Sequence, residues 1–229
     1  MIPLGDYNKT KGFSFFNWLL IITNVVVFVF QTMMNEYELN QFIINYSFIP
    51  ARFLKDPITY FYTLFTSIFL HGGFVHLIGN MLFLYVFGDN VEDALGHFRY
   101  IVFYFIGGII AIFTQMFFSP DLSVPNIGAS GAISAVIAAY MILFPGAKVL
   151  TVIPVFIFLY SIRLPAIIFL GVWFILQFFS GVAQIYVGEI NNVAYWAHIG
   201  GFVFGLIYAL LGRNKYLKKY RDFDFRLRY

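Results

Sequence analysis

The chain contains no cysteine, which removes disulfides, thiolate nucleophiles and cysteine-bound metals and leaves the redox character of its compartment unread. Charge is scarce as well: 11% of the 229 residues are Asp, Glu, Lys or Arg, against 61% hydrophobic. Water cannot be the solvent for most of such a chain, so a soluble enzyme is excluded and no nucleic-acid partner is expected. Histidine is limited to four positions. His71 and His76 stand five apart with no H-E-x-x-H pattern, so a metal is not expected. Tandem repeats, low-complexity tracts and a separate soluble domain are also absent.

What the chain does have is apolar runs close to the roughly 20 residues a membrane-spanning helix needs. Six stand out, at about 14–34, 74–93, 98–118, 129–146, 164–187 and 193–211. They predict an all-α, polytopic six-transmembrane-helix bundle forming one domain over 1–229, with a short basic tail at 212–229. The first run follows Lys9 and Lys11 and resembles a signal peptide, but it is long enough to span and no small-x-small site closes it, so it reads as a retained anchor.

A further stretch, "VLTVIPVFIFLYSI" at 149–162, is apolar but short, carries Pro154, and lies between Lys148 and Arg163. Basic residues decide its place. With six spans one side receives Lys9, Lys11, Arg99, Lys148, Arg163 and the seven basic residues of the tail, whereas the other receives Arg52 and Lys55. By the positive-inside rule both termini are cytoplasmic and 149–162 lies along the inner surface; the location expected is the plasma membrane. The tail reads as a topology anchor, and the lipid bilayer is the surrounding partner.

Polar groups inside hydrocarbon are costly and usually face a protein interior, so their depth is informative. In this topology the second, fourth and sixth helices all start from the outside, and their first turns carry His76 and Asn80, Ser130, and His198. His76 and Asn80, four apart, share a helix face. On the sixth helix Ala194, His198, Gly201, Gly205 and Ala209 form one stripe in which the histidine is the only large member. Gly131, Ala135 and Ala138 form a matching stripe on the fourth, and two small stripes let backbones approach closely. Packing them together brings Ser130 within reach of His198.

A serine hydroxyl becomes a nucleophile when a base takes its proton, and neutral imidazole is suited to that task. At a helix start, unpaired N–H groups face the oxygen of whatever the serine attacks. The Ser130 backbone, Asn80 and His76 are therefore candidate oxyanion donors. Gly128 permits a tight turn into the helix, and Gly131 keeps the approach narrow but open. Nine serines and 19 glycines yield a G-x-S-G pattern by chance about 0.06 times per chain, so the joint placement of the residues, not the tetrapeptide, carries the reading. Taken singly, Ser130 reads as a cap, His198 as a structural hydrogen-bond partner and Asn80 as interhelical glue.

His97 falls in the short inner loop and reads as a surface residue, and Asp89, Glu92 and Asp93 read as caps or partners of Arg99. On the outer side only Asp121 and Glu189 lie near the site, both in loops, so a Ser-His dyad without a carboxylate is the economical arrangement. A solute transporter would need ionisable residues along a path through both leaflets, which the inner halves of these helices lack.

The segments "FTSIFLHGGFVHLIGNMLFLYVFGDNVEDALG" at 65–96, "GASGAISA" at 128–135 and "AYWAHIGGFVFG" at 194–205 resemble the rhomboid intramembrane serine proteases, in their compact prokaryotic six-helix form. The resemblance implies Ser130 as nucleophile, His198 as general base, and an oxyanion site of His76, Asn80 and the Ser130 N–H. It also implies that transmembrane proteins are the substrates, cleaved near the outer face without a cofactor. An inactive adaptor that binds transmembrane helices is the alternative. Two positions depart from the family pattern. Ser134 stands where some members carry a tyrosine that stacks on the histidine, so another group must orient the ring. Arg52 follows Ala51 where some carry a Trp-Arg pair.

Overall fold

A computed structural model of the chain describes residues 1–8, 10–155, 158–187 and 193–226. Lys9, Glu189 and Arg228 lie outside the described residues, as do the side chains of the tail from Lys218 onward. A short strand, β1 (Ile2–Asp6), leads into α1 (Phe15–Thr32). Then come α2 (Glu36–Tyr46), α3 (Pro50–Lys55), α4 (Thr63–Thr66), α5 (Phe74–Phe83), α6 (Asp89–Leu95), α7 (His97–Phe118) and α8 (Ser130–Leu143). A hairpin of β2 (Lys148–Val155) and β3 (Phe158–Pro165) separates α8 from α9 (Ala166–Val187), and α10 (Tyr195–Arg226) ends the described chain.

Among the described residues five helices are long and apolar enough to cross a membrane: α1, the continuous α5–α6 unit over Phe74–Leu95, α7, α9 and α10. The sixth, α8, has 14 residues. At 1.5 Å per residue it is about 21 Å long, shorter than a hydrocarbon core of about 30 Å. Its sequence explains its position. Apart from Ser130 and Ile142 every residue of α8 is buried, and a helix that is apolar on all sides belongs at the centre of a bundle. The architecture is thus an all-α polytopic membrane fold wrapped around α8, with a small sheet at one end.

That sheet holds the three strands in the order β1-β2-β3, antiparallel throughout. Residues 149–155 and 158–162 therefore lie in two paired strands, consistent with the β-branched Val149, Thr151, Val152 and Ile153. Pairing of β1 with β2 puts the N-terminus at the end of the bundle where α8 finishes. Gly201 abuts Gly131, and Gly205 abuts Ala135 one turn later, so α10 runs parallel to α8 and finishes at that same end. Both termini share one side, and Ser130 and His198 stand toward the other.

Two helix starts in this fold are capped from a distance. Ser14 makes no side-chain cap for α1. Instead the fully buried Glu92 accepts from the N–H groups of Phe16 at 3.1 Å and Asn17 at 2.7 Å, placing a carboxylate at the positive end of the helix. It also takes a hydrogen bond from His97 Nδ1 at 2.5 Å, while Asp93 accepts from the Lys11 N–H at 2.9 Å. Glu92 and Asp93 thus fasten the start of α1, the capping role that was one of the two expected of them. For α10 the same service comes from Gln115 of α7, whose Oε1 accepts from the Ala197 N–H at 3.1 Å.

The α5–α6 unit widens into a single π turn over Leu84–Gly88, which leaves a carbonyl without its usual helical donor. Asn17 Nδ2 takes the Leu84 carbonyl at 3.1 Å, and Tyr100 donates to Asn17 Oδ1 at 2.8 Å. Gly88 is required at this point because a β-carbon there would stand 2.0 Å from Asn17 Oδ1.

Candidate active site

The first residue of α8, Ser130, meets the first turn of α10. His198 Nε2 lies 2.8 Å from Ser130 Oγ, a hydrogen bond between residues 68 positions apart. On its other side the ring is held by a residue that sequence reasoning did not single out: Gln177 of α9, whose Oε1 is 2.7 Å from His198 Nδ1. Trp173, one helical turn before Gln177, and Tyr195 flank the imidazole at ring separations of 5.9 Å and 6.4 Å. Ser134 takes no part in orienting it, since its hydroxyl donates to the Ser130 carbonyl at 2.7 Å. The signal for Gln177 was an amide midway along a largely apolar helix, which carries a second, Gln184, nearer its end.

Close packing produces this meeting. Cβ atoms on Gly201 and Gly205 would lie 2.0 Å from the Gly131 carbonyl oxygen and 2.1 Å from that of Ala135. Gly131 itself is tightest against α7, where a β-carbon would come within 2.5 Å of Ala111 Cβ. Gly128 adopts φ 116°, open in practice to glycine, and donates its N–H to the Ser67 carbonyl at 2.9 Å. A side chain there would also strike the His76 ring, whose Nε2 is 2.8 Å from where a β-carbon would be.

His76 therefore lies against the peptide that leads into Ser130. Its Nδ1 faces the Gly72 N–H at 3.5 Å, which leaves Nε2–H as a donor on the Ser130 side. Asn80 stands beside the same segment, its Nδ2 3.8 Å from where a β-carbon on Gly128 would be. Its Nδ2 is 2.9 Å from Nε2 of His71, committing one amide hydrogen and leaving the other. His71 is buried and locked by a reciprocal pair with Gln31, N–H to Oε1 at 3.1 Å and Nε2 to carbonyl at 3.1 Å. Burial, and secondarily the neighbouring His76, push the His71 imidazole down to about 4, so it is a neutral acceptor for Asn80.

A cavity of about 30 Å³ opens beside Ser130, lined among others by Ser67, Gly108, Ala111, Asn126 and Gly128. That space can hold a water. The Ser67 hydroxyl is buried and has no hydrogen-bond partner among the described residues.

The surrounding loop is fastened to the same segment. Phe48 and Asn126 exchange backbone hydrogen bonds at 3.1 Å and 2.8 Å, tying the first long loop to the residues before Ser130. Arg52 secures that loop from within, donating to the Ile44 carbonyl at 2.6 Å and to the Tyr60 hydroxyl at 3.0 Å, and lying 4.5 Å from the Tyr60 ring centre. Asp121, an exposed loop residue, bonds to Ser123 and not to His198. Among the described residues the hydrogen-bond partners of the His198 ring are Ser130 and Gln177.

Comparison with known proteins agrees with this architecture. The Rhomboid domain family matches residues 59–215, and the chain belongs to the rhomboid family. It is 29% identical over 156 residues to presenilin-associated rhomboid-like protein A, mitochondrial, of Danio rerio, covering 67% of this chain and 38% of that protein. To rhomboid protein 1, mitochondrial, of Saccharomyces cerevisiae it is 31% identical over 163 residues, 68% of this chain and 43% of the relative. A shorter match, 37% over 83 residues and 35% of this chain, is to a rhomboid-named protein of Bacillus subtilis. The chain thus spans less than half the length of these relatives. The plasma-membrane location expected from charge alone is corrected by these names: the relatives that match two thirds of the chain are mitochondrial. The charge rule reports which side of a membrane a loop occupies and carries no information on which membrane it is.

Proposed function

We propose that this chain is an intramembrane serine endopeptidase that cleaves transmembrane segments of other membrane proteins near the face opposite its termini. Ser130 is the nucleophile and His198 the general base. The observation that carries the reading is the 2.8 Å hydrogen bond between Ser130 Oγ and His198 Nε2, made at the start of a buried helix too short to span the bilayer.

In this reading His198 Nε2 takes the Ser130 proton as Oγ attacks the scissile carbonyl carbon. The negative charge that develops on the carbonyl oxygen is met by N–H groups of the first turn of α8, His76 Nε2–H and the free hydrogen of Asn80. Collapse of the tetrahedral species breaks the C–N bond, and the imidazolium returns its proton to the leaving amine. A water then repeats the attack on the acyl-serine with His198 again as base, releasing the acid and restoring Ser130. The cavity beside Ser130 offers that water a polar place inside the bundle.

Residues 1–229 act as one domain, with 212–229 as its basic tail, and the relatives' names support a mitochondrial membrane as its setting. The test is covalent labelling with a fluorophosphonate probe. Label on Ser130 is expected, lost in Ser130→Ala and His198→Ala together with cleavage of a single-span test substrate, while both variants remain folded. A wild-type protein that takes no label and cleaves nothing would instead support the adaptor reading.

A further inference from the structure

The dyad has a polar neighbour whose position carries a consequence for catalysis. Along α9 the sequence "AIIFLGVWFILQFFSGVAQIYV" is almost wholly apolar, and only 22% of its membrane-spanning window is buried within the protein, the smallest share among the five long helices. A glutamine midway along such a helix is costly in lipid unless it has a partner. Gln177 has one, the His198 ring, at 2.7 Å.

The polarity of this bond decides which nitrogen of His198 can act. Gln177 presents Oε1, an acceptor, so His198 Nδ1 carries the ring hydrogen and Nε2 presents its lone pair to Ser130. Were the amide turned, its N–H would face Nδ1, the hydrogen would move to Nε2, and the imidazole would point a donor at the serine. A carboxylate would impose the useful tautomer by charge, whereas glutamine imposes it by geometry. Among the described residues the titratable groups facing the ring are His76 from α5 and Tyr195 on its own helix, and the hydrogen-bond partner of Nδ1 is Gln177.

We propose that Gln177 is a positioning residue that fixes His198 in the Nδ1–H tautomer, supplying from α9 the orientation that Ser134 cannot supply from α8. This rests on the dyad reading for its catalytic consequence but not for its structural one.

Two measurements test it. In protein labelled with ¹⁵N-histidine, the four rings are few enough to assign, with His198→Ala identifying the ring of interest. Wild type is expected to show His198 protonated on Nδ1, and Gln177→Leu a mixture of tautomers. An unchanged tautomer in Gln177→Leu overturns the proposal even if the protein proves to be no protease. In cleavage assays Gln177→Leu should lower kcat about 10- to 100-fold with KM little changed. Gln177→Glu should restore most of the rate and move the acid limb of the kcat/KM profile to higher pH, because a carboxylate stabilises the imidazolium. A folded Gln177→Glu that is as slow as Gln177→Leu, or an acid limb that does not move, overturns it. Loss of fluorophosphonate labelling in wild type would instead strike the dyad reading.

Discussion

Gly201 of α10 faces the carbonyl of Gly131 in α8 so closely that a β-carbon on it would lie 2.0 Å from the oxygen. The same approach recurs at Gly205 and Ala135, and the Ser130–His198 hydrogen bond lies at the outer end of this seam. In lipid, apolar side chains gain little by leaving their surroundings, so close backbone packing is what holds two helices together.

Gly201→Ala should therefore already weaken the site, and Gly201→Val should reduce the rate of fluorophosphonate labelling by about 10² or more, since a displacement of about 1 Å costs that much in catalytic geometry. Val203, on the exposed face of α10, provides the control, and Val203→Ile should label normally. Equal labelling of Gly201→Val and wild type would mean that another contact sets the distance between Ser130 and His198.

Glu92→Leu should lower the thermal unfolding temperature in detergent, because it strips acceptors from two N–H groups at the start of α1 and from His97. Each hydrogen bond to a buried charged group contributes about 1.5–3 kcal/mol. Glu92→Gln keeps an acceptor and should fall between Glu92→Leu and wild type. Matching unfolding temperatures for Glu92→Leu and wild type would show that the other contacts of α1, those of Asn17 and Gln31 among them, are enough to hold it.

The path from sequence to this arrangement was uneven. Five of the six apolar runs coincide with helices long enough to cross a membrane and the other with the short α8, and the small stripes on α8 and α10 anticipated the closest approach because both reflect local composition. Apolar periodicity could not distinguish a short helix from a buried strand at 149–162, and the partner of β2 is more than 140 residues away in β1. Asn35 and Glu38 form a capping box for α2 that the spacing in "NEYE" contains. Glu92 gave no such local sign, since its bonds to α1 span 75 and 76 residues. The amide of Gln177 was visible in the sequence but its partner His198 was not, and the bonds of His71 to Gln31, 40 residues away, have no local sign either.

Asp6 of β1 should make stability depend on pH. It accepts hydrogen bonds from the buried Tyr140 hydroxyl and from Asn90 Nδ2, yet burial dominates and raises its carboxyl above the ordinary value of 3.8. The folded state then binds the Asp6 proton more readily than the unfolded state does. This contribution to stability is complete below 3.8 and is lost as pH rises through the folded-state value. Asp6→Asn should flatten that part of the profile in unfolding measurements carried upward from pH 3.8. Parallel profiles for variant and wild type would remove Asp6 as the source of the slope.

His71 should govern the rate without touching the substrate. In the proposed mechanism Asn80 is one oxyanion donor, so Asn80→Ala should cost about 10²- to 10³-fold in cleavage rate. The Asn80 amide owes its direction to His71 Nε2 at 2.9 Å, and His71 owes its own to Gln31. His71→Leu leaves a buried amide hydrogen without an acceptor and frees the Asn80 side chain to rotate, so cleavage should slow by at least about tenfold. Because His71 is neutral, its role is that of an acceptor and not of a charge, and His71→Gln should retain most of the activity that His71→Leu loses. A metal role would predict the reverse, with His71→Gln as damaging as His71→Leu and both imitated by chelators. Wild-type rates in His71→Leu would show that Asn80 is held by its helix alone, and would move the control of the oxyanion site back to α5.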